Sequence, residues 1–335
     1  MKLMEASSRT GIALKNVLFA TDFSPASEAA LPYAEATCRR YNCQLHAVHV
    51  ISPASYIAAS EPNGSITIAS VHEAARADAQ ERMEALAAHL KTVPHYTYVR
   101  EGSVWEVISD MAWTREIDLL VVGTHGRTGF EKLVFGSKAE EILRQAPCPV
   151  LTVGSQVSGR AMLPALAGDG KDLTPLEISV RHIIYATDFT PESLAAAPFA
   201  ASLAQEFQAR LTLLHVIEKY AGVHRPPGLI EFALQRLERV VPEEASLWCS
   251  LEPVIQFGSP AECILQKASE SQADLIVLGV RPASGHLAAA THLPWATAHK
   301  VIAHAHCPVL TIPFTTVLQR QEEREGFFEF GEAIP

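Results

Sequence analysis

The sequence predicts an α/β protein with two tandem domains, each built on a doubly wound sheet of five parallel strands. Three observations lead to this fold class: the chain has 335 residues, it repeats itself, and short apolar runs alternate with helical segments. With 48% apolar residues, a chain of this length can bury a core in each of two domains. Strands that alternate with helices need right-handed crossovers, and these build parallel sheets with helices on both faces.

The repeat is clearest where each copy begins. The segment KNVLFATDFSPASEAALPYA starts at Lys15, and RHIIYATDFTPESLAAAPFA starts 166 residues later at Arg181. Further along, APCPVLTV with Cys148 matches AHCPVLTI with Cys307, which indicates a duplicated domain. The segment between the copies is rich in Gly, Pro and small residues, as linkers are. We therefore predict domains at residues 13–154 and 181–314, a linker at 155–180, and an acidic, aromatic tail at 315–335.

Each copy is predicted to contain its elements in the order β-α-β-α-β-α-β-α-β. Continuous apolar runs such as VLFAT, LHAVHV and LLVVG are typical of strands that are buried on both faces of a parallel sheet. Ser24-Pro25 and Thr190-Pro191 predict helix starts, because the hydroxyl can cap the helix and proline is tolerated in its first turn. Ligands of such sheets bind beyond the carboxyl ends of the strands, so we expect the site there.

Composition excludes several classes of partner. A formal net charge of −10 argues against a surface that neutralises nucleic-acid phosphates. No stretch approaches the roughly 20 apolar residues of a membrane span, and the N-terminus lacks the apolar core of a signal peptide. The six cysteines are scattered without CxxC spacing and are interpreted as reduced thiols. We expect a cytoplasmic protein that binds neither nucleic acid nor membranes.

A glycine-rich segment follows the fourth strand of the first copy. Two residues separate Gly123 from Gly126, and nine more separate Gly126 from Gly136, which precedes Ser137 and Lys138 at a predicted helix start. Glycines let the backbone approach phosphate oxygens, and a helix N-terminus presents free N–H groups and a positive dipole end. This pattern predicts an anion cradle. Neither GxxxxGK[ST] nor a GxGxxG after a strand occurs, which disfavours P-loop NTPases and ordinary dinucleotide-binding folds.

The chain resembles the universal stress protein family, whose ATP-binding members carry G-x2-G-x9-G-[S/T] after the fourth strand and an aspartate after the first. The resemblance covers about residues 15–153 and, more loosely, 181–313. It implies a Rossmann-like, adenine nucleotide alpha hydrolase-like fold in each domain, and ATP accompanied by Mg²⁺ as the ligand. Carried over by position, the expected contacts to ATP are Ala20, Thr21, Asp22, Val50 and Val122 for the adenosine, and Gly123, His125, Gly126, Gly136, Ser137 and Lys138 for the ribose and phosphates.

The second copy departs from this motif. It keeps Asp188 and Gly279, but three positions of the predicted cradle have become Pro282, Trp295 and Ala296. Proline has no N–H to offer, and a large ring takes the place of a glycine. We therefore expect the second copy not to hold ATP and to act as a structural partner of the first. The two domains are expected to form an intramolecular pseudo-dimer, with a further homodimer left open.

Three functions remain open at this point. The leading hypothesis is an ATP-binding regulatory or stress-response protein with an unidentified protein partner, in which the first domain holds the nucleotide. The second is a slow Mg²⁺-dependent ATPase or phosphoryl transferase that uses the same site, although no paired acid and base or clear nucleophile supports it. The third is a structural or partner-interaction module that binds no nucleotide, which the intact glycines of the first copy oppose.

Two site residues and one cluster also have ordinary explanations. Asp22 can cap local backbone N–H groups in its turn, and Asp188 in the second copy is consistent with that role. His125 can contribute its backbone alone, so no catalytic residue is predicted. Imidazole and thiolate side chains crowd the end of the second copy, but they lack a standard zinc-ligand spacing. These side chains are His286, His292, His299, His304, His306 and Cys307.

Overall fold

The two copies build the same sheet in the same strand order. A computed structural model describes residues 12–53, 68–124, 141–143, 145–157, 159, 162–164, 176–218, 226–280 and 293–314. The described part of the chain is α/β, with ten strands in one sheet and helices on both faces. The predicted fold class is therefore confirmed.

The first copy follows the predicted alternation of strands and helices through its fourth strand; of the helix predicted before its fifth strand, only residues 141–143 and 145 are described. Its elements are β1 (Asn16–Ala20), α1 (Pro25–Tyr41), β2 (Gln44–Ile51), α2 (Ile68–His89), β3 (His95–Glu101), α3 (Val104–Thr114), β4 (Leu119–Gly123) and β5 (Val150–Val153). The segment between the copies contributes two short strands, β6 (Met162–Pro164) and β7 (Leu176–Ile178).

The second copy repeats this alternation, with the helix after its first strand divided in two. Its elements are β8 (His182–Ala186), α4 (Pro191–Leu194), α5 (Ala197–Phe207), β9 (Arg210–Ile217), α6 (Leu229–Glu238), α7 (Ala245–Trp248), β10 (Leu251–Phe257), α8 (Pro260–Glu270), β11 (Leu275–Val280), α9 (Leu293–His304) and β12 (Val309–Pro313). None of the described helices in either copy is long and apolar enough to cross a membrane.

Both helix starts predicted from Ser-Pro and Thr-Pro are confirmed. Ser24 caps α1, where its side chain accepts a hydrogen bond from the backbone N–H of Ser27. Thr190 caps α4 in the same way, with the N–H of Ser193 as the donor. A proline follows each capping residue in the first turn, where a missing N–H breaks no helical hydrogen bond.

The two half-sheets join along one antiparallel seam. The strand order is β3-β2-β1-β4-β5 in the first copy and β10-β9-β8-β11-β12 in the second, with parallel pairing inside each half. Strands β5 and β12 pair antiparallel, with Leu151 opposite Leu310. Thr152 donates its hydroxyl to the Val309 carbonyl at 2.9 Å across this seam. Because these two edge strands pair, the two half-sheets form one continuous ten-stranded sheet.

A polar cluster ties the ends of α1 and α5 together near the seam. Arg40 Nε lies 2.9 Å from Glu206 Oε1, and the Tyr41 hydroxyl donates to Glu206 Oε2 at 2.7 Å. The Arg40 guanidinium also lies 4.0 Å from the centre of the Phe207 ring. Because this ion pair is partly exposed, it contributes only about 1 kcal/mol or less. The β5–β12 pairing and the apolar contacts beside it are the main connection between the halves.

The segment between the copies is more regular than its composition suggests. Strands β6 and β7 pair antiparallel, with Met162 opposite Ile178. Met162 and Val180 are buried in the core on one face of the large sheet. Residues 155–180 were predicted only as a linker, and these two strands were not predicted. Composition shows that the segment contains many turn-forming residues. It does not show that β6 and β7 pair, because that pairing is stabilised by apolar contacts with the neighbouring core.

A buried imidazole links β8 to β9. His182 is 4% exposed, and its Nε2 lies 2.8 Å from Thr212 Oγ1. Thr212 donates its own hydroxyl hydrogen to Glu252, so it accepts from His182 and the ring proton is assigned to Nε2. Burial lowers the pKa of His182 from its ordinary value of 6.5; the Ser271 carbonyl beside Nδ1 opposes this shift, and the nearby charge of Arg210 adds to it. The folded protein therefore holds this imidazole in its neutral form.

We expect the free energy of unfolding to decrease as the pH falls below about 6.5, in part because of His182. Above that pH the ring is neutral in both states; below it the unfolded chain takes up a proton that the folded chain resists. His182→Gln, which keeps a hydrogen-bond donor, should reduce this slope by up to about 1.4 kcal/mol per pH unit. Urea unfolding between about pH 7.5 and 5.5 measures it. His306→Gln, at an exposed position, is the control, and equal slopes for wild type and His182→Gln would contradict the assignment.

Candidate functional site

The carboxyl ends of β1, β2 and β4 meet at one edge of the first half-sheet. Ala20 is paired with Val48 of β2 on one side and with Val122 of β4 on the other. The chain leaves β1 towards β2 and later returns to β4 on its opposite side, so the strand order reverses here. Such a switch point opens a crevice for ligands. Ala20, Val50 and Val122 all contribute to the core on the same face of the sheet and form an apolar wall at this edge.

The loop after β1 is held by its own side chains. The Phe23 N–H donates to Thr21 Oγ1 at 2.9 Å, and the Ser24 N–H donates to Asp22 Oδ1 at 3.0 Å. Asp22 is half-buried, and no described residue donates to its other oxygen, Oδ2. The local capping role that we considered for Asp22 is confirmed. One carboxylate oxygen is therefore used by the turn, and the other can accept a hydrogen bond from a ligand.

Phe23 adopts a backbone conformation that non-glycine residues rarely take. Its φ angle is 58°, in the left-handed region, which costs roughly 1–2 kcal/mol for a residue with a Cβ. The Phe23 ring lies 4.7 Å from the ring of His49, centre to centre, and the Arg82 guanidinium lies 5.6 Å from the Phe23 ring. His49 Nδ1 lies 2.9 Å from the Thr21 carbonyl oxygen and donates to it. These contacts offset the unfavourable backbone and fix the loop.

The second copy contains the same loop. Phe189 has a φ angle of 63°, its ring lies 4.3 Å from His215, and Arg236 lies 4.1 Å from the Phe189 ring centre. Burial lowers the pKa of His215, which leaves its ring neutral. Burial alone would raise the pKa of Asp188, but hydrogen bonds, chiefly from Thr190, bring it below its usual value. The loop after the first strand is thus alike in both copies. This part of the site therefore does not distinguish the two copies.

Gly123 has a packing role that its place in a glycine motif does not reveal. A Cβ at this position would overlap the Ala26 carbonyl group and lie 2.7 Å from the Ser27 nitrogen. At Gly279 a Cβ would overlap the Glu192 carbonyl and lie 2.6 Å from the Ser193 Cα. In both copies glycine lets the strand touch the first turn of the helix that follows the neighbouring first strand, α1 or α4. This contact explains why the second copy keeps Gly279 although the rest of its motif has changed.

Six of the predicted site residues lie together at the carboxyl edge, and five fall outside the described residues. The six are Ala20, Thr21, Asp22, Val50, Val122 and Gly123. The five are His125, Gly126, Gly136, Ser137 and Lys138. Pro282 of the second copy also lies outside, whereas Trp295 and Ala296 lie in the first turn of α9. The phosphate half of the predicted site therefore stays a prediction.

Sequence reasoning overlooked His49 and its counterpart His215. Both stand in the matched segments LHAVHV and LTLLHV, at the same 166-residue offset as the first strands. That repetition was the available signal, but the family resemblance pointed instead to the neighbouring strand-end residue, Val50. The role of the ring depends on a contact with Phe23, which is distant along the chain, so spacing alone could not show it. His49 positions the loop that carries Asp22.

The histidine-rich end of the second copy is described only in part, since His286 and His292 lie outside the described residues. Over the described ranges, no three His, Cys, Asp or Glu side chains lie together as metal ligands. His304 Nδ1 lies 2.9 Å from the Lys300 carbonyl oxygen of its own helix. Burial raises the pKa of Cys307 to about 12, so its thiol stays protonated and packs in the core.

Two half-sheets of one topology, each with a polar loop at the switch point, define a tandem α/β protein with the Rossmann-like adenine nucleotide alpha hydrolase fold. The model of the universal stress protein family matches residues 13–154 and 179–313, and the chain belongs to this family.

Known proteins with names from this family resemble the chain in sequence and in fold. Universal stress protein A homolog 1 of Coxiella burnetii is 33% identical over 144 residues, which cover 42% of this chain and 95% of that protein. A universal stress protein of Thermus aquaticus is 35% identical over 137 residues, 39% of this chain and 98% of that one. A crystal structure of a universal stress protein from Archaeoglobus fulgidus aligns with a TM-score of 0.64 at 19% identity, covering 89% of this chain and 96% of that chain. At that identity the likeness supports the fold alone.

Proposed function

We propose that this protein is an ATP-binding universal stress protein with a regulatory or stress-response role, and that its first domain holds the nucleotide. The observation that carries the proposal is the Asp22 carboxylate, held in place by the Ser24 N–H while Oδ2 faces no described donor. It stands at the strand ends beside the apolar wall of Ala20, Val50 and Val122. A polar acceptor next to an apolar wall suits a nucleoside, which combines an apolar ring face with hydrogen-bond donors.

The phosphates are proposed to lie on the glycine-rich segment that follows β4. Backbone N–H groups at Gly126 and Gly136 and the hydroxyl of Ser137 would bind phosphate oxygens, and Lys138 would add positive charge. Gly123 and His125 complete the proposed contacts. Mg²⁺ prefers oxygen ligands and keeps several waters, so the phosphates themselves would hold it, with little need for a protein cage. The bound ion would reduce the charge repulsion among the phosphate oxygens.

The second domain is proposed to bind no ATP and to stabilise the first across the seam. Its loop at Asp188 matches that at Asp22, so the proposed difference rests on the phosphate half alone. There Pro282 removes an N–H, and Trp295-Ala296 replace a glycine and a hydroxyl. The proposed domains are residues 13–154 and 181–314. Residues 155–180 join them, and the tail 315–335 follows the second domain.

Calorimetric titration of the full chain with ATP and Mg²⁺ tests the proposal, and one site per chain is expected. Gly126→Pro combined with Ser137→Ala copies the changes of the second domain and should abolish binding. Asp22→Asn should weaken binding about tenfold or more, because a hydrogen bond to a charged group is worth about 1.5–3 kcal/mol. Asp188→Asn is the matched control at the equivalent position and should leave the affinity unchanged.

Two other outcomes would change the assignment. A stoichiometry of two would show that the second domain also binds ATP, and the structural role proposed for it would be wrong. No binding to the wild type would leave a structural or partner-interaction module as the better description. Slow release of inorganic phosphate, followed in the same samples, would instead favour the ATPase alternative. We expect little turnover, because His49 Nδ1 donates to the Thr21 carbonyl and the sequence offers no clear nucleophile.

A further inference from the structure

Aromatic and positively charged side chains lie together at the outer edge of the first half-sheet. Tyr96 of β3 is 56% exposed, and its ring centre lies 6.4 Å from that of Tyr98, which points to the same face of the strand. The guanidinium carbons of Arg100 and Arg115 lie 5.4 and 5.7 Å from the centre of the Tyr98 ring. Both arginines are exposed. We call these four residues the aromatic–arginine surface.

Hydrogen bonds beneath this surface fix the Tyr98 ring. His46 of β2 is 4% exposed; its Nε2 lies 3.3 Å from Asn16 Oδ1, and its Nδ1 lies 3.2 Å from the Tyr98 hydroxyl. Because the Asn16 oxygen can only accept, the ring proton is assigned to Nε2, and the Tyr98 hydroxyl donates to Nδ1. Burial lowers the pKa of His46, and the charge of Arg115 lowers it further. The imidazole is therefore neutral, and the positive charge of the surface comes from the two arginines.

The charge of the two arginines is not balanced within the described part of the chain. No described carboxylate forms an ion pair with Arg100 or Arg115. Glu101, which follows Arg100 in β3, contacts His72 and Arg76 instead, at 3.0 and 3.6 Å. Tyrosine and arginine are enriched at protein interfaces, and unbalanced charge attracts segments of the opposite sign. The surface therefore suits a segment that combines negative charge with aromatic side chains.

The fold does not require these side chains, because the second copy is built without them. Neither tyrosine nor arginine occurs at the equivalent positions, which are Glu252, Val254, Gln256 and Ser271. The two outer edge strands also differ in their backbones. Strand β10 contains Pro253, which has no N–H to offer to an added strand, whereas β3 contains no proline. The edge of β3 is thus open to an extended segment.

The tail at residues 315–335, which lies outside the described residues, has the complementary composition. It contains five glutamates and two arginines, so its side chains carry a net charge of −3. It also contains three phenylalanines close together, Phe327, Phe328 and Phe330. The tail therefore matches the aromatic–arginine surface both in charge and in aromatic content.

The register of the sheet shows that the tail can reach this surface. Thr311 of β12 is paired with Val150 of β5, and successive partners in β4, β1 and β2 connect Val150 to Tyr96 of β3. Thr311 and Tyr96 therefore stand at the same level along the strands. They are five strand spacings apart, which is about 24 Å. The twelve residues at 315–326 can span up to about 40 Å when extended, which is more than enough.

We propose that the tail at residues 315–335 docks on the aromatic–arginine surface of its own chain. Its phenylalanines would pack against Tyr96 and Tyr98, and its glutamates would lie near Arg100 and Arg115. This contact covers the open edge of β3 and protects it from pairing with other chains. A protein partner that uses the same surface would first have to displace the tail. The proposal involves none of the residues assigned to the nucleotide site, so it does not depend on ATP binding.

Hydrogen exchange of the full chain, followed by mass spectrometry, tests this contact. The variant Phe327→Ser, Phe328→Ser, Phe330→Ser removes the aromatic groups of the tail. We expect the amides of β3 to exchange about threefold faster or more in this variant, as for an edge that the tail covers most of the time. The amides of β10, at the other edge of the sheet, should exchange equally in both proteins. Equal exchange of β3 in the two proteins would overturn the proposal.

Charge reversal tests where the tail docks. Arg100→Glu combined with Arg115→Glu should release the tail, so that β3 exchanges as fast as in the phenylalanine variant. Adding Glu325→Lys, Glu329→Lys and Glu332→Lys reverses the charge of the tail as well and should restore the slow exchange. Slow exchange that persists in the arginine variant, or that the reversed tail does not restore, would contradict docking on this surface.

A matched charge reversal and a dilution series complete the experiment. Arg239→Glu combined with Lys300→Glu changes two exposed positions of the second copy by the same total charge and should leave the exchange of β3 unchanged. The slow exchange of β3 should also be the same at every protein concentration. Exchange that becomes slower as the concentration rises would show that the tail of another copy binds, and the contact within one chain would be wrong.

Discussion

Replacing Gly279 by alanine is expected to destabilise the second half of the protein by about 3 kcal/mol. The new methyl group would overlap the Glu192 carbonyl and press on Ser193, both in the first turn of α4. These are backbone atoms, which cannot rotate away as a flexible side chain can. The strand or the helix must shift, and the parallel pairing of β11 with β8 and β12 resists that shift. Urea unfolding of the ligand-free protein measures the change.

The chain supplies both a matched substitution and a control. Gly123→Ala should destabilise the first half for the same reason, with no nucleotide present, which separates the packing role of Gly123 from any contact with phosphate. At Gly154 the nearest atom to an added Cβ is 3.6 Å away, an ordinary contact. Gly154→Ala should therefore change stability by about 0.5 kcal/mol or less. Equal effects at Gly154 and Gly279 would refute the packing argument.

Leu151→Asp is expected to break the β5–β12 pairing and let the two half-sheets separate. Leu151 is 8% exposed and faces Leu310 in the seam. A carboxylate there would be buried without a partner, which is unfavourable by several kcal/mol. Separation lets water reach it, and each half keeps its own parallel sheet. Small-angle scattering should show a larger radius of gyration, while circular dichroism should still show the helices.

Leu151→Met is the control for this substitution. It conserves volume and polarity, so it should change stability by less than about 1.5 kcal/mol and leave the radius of gyration as in the wild type. An unchanged radius in Leu151→Asp would mean that other contacts, such as those of Arg40 with Glu206 and Phe207, hold the halves together. Complete loss of helical signal would mean that the halves do not fold apart from each other.

Much of the fold was predictable because its signals are local. The alternation of buried apolar runs with capped helices indicates parallel sheets, and the caps at Ser24 and Thr190 are confirmed in their hydrogen bonds. The antiparallel seam was not predictable, because pairing of two edge strands depends on surfaces from both domains. The pairing of β6 with β7 in the linker was overlooked for a similar reason, since it depends on contacts that composition does not reveal.

The part of the site that the strand ends define was predictable from the sequence. The part that depends on contacts between residues distant along the chain was less predictable. Asp22 follows a central strand, so its position at the carboxyl edge follows from topology. The packing role of Gly123 depends on how closely α1 approaches β4, which no motif reports. His49 was overlooked because its importance comes from stacking on Phe23, whose left-handed backbone also cannot be read from residue type.

The antiparallel seam has a consequence for how the protein responds to dilution. Pairing between separate chains is a bimolecular equilibrium, which weakens as the concentration of the chains falls. Here β5 and β12 belong to one chain, so residues 155–180 keep the two edges at a high effective concentration. The pairing is therefore an intramolecular equilibrium, which does not depend on the concentration of the protein. A cell that makes few copies of this protein obtains each one already assembled, with two strand edges protected from other chains.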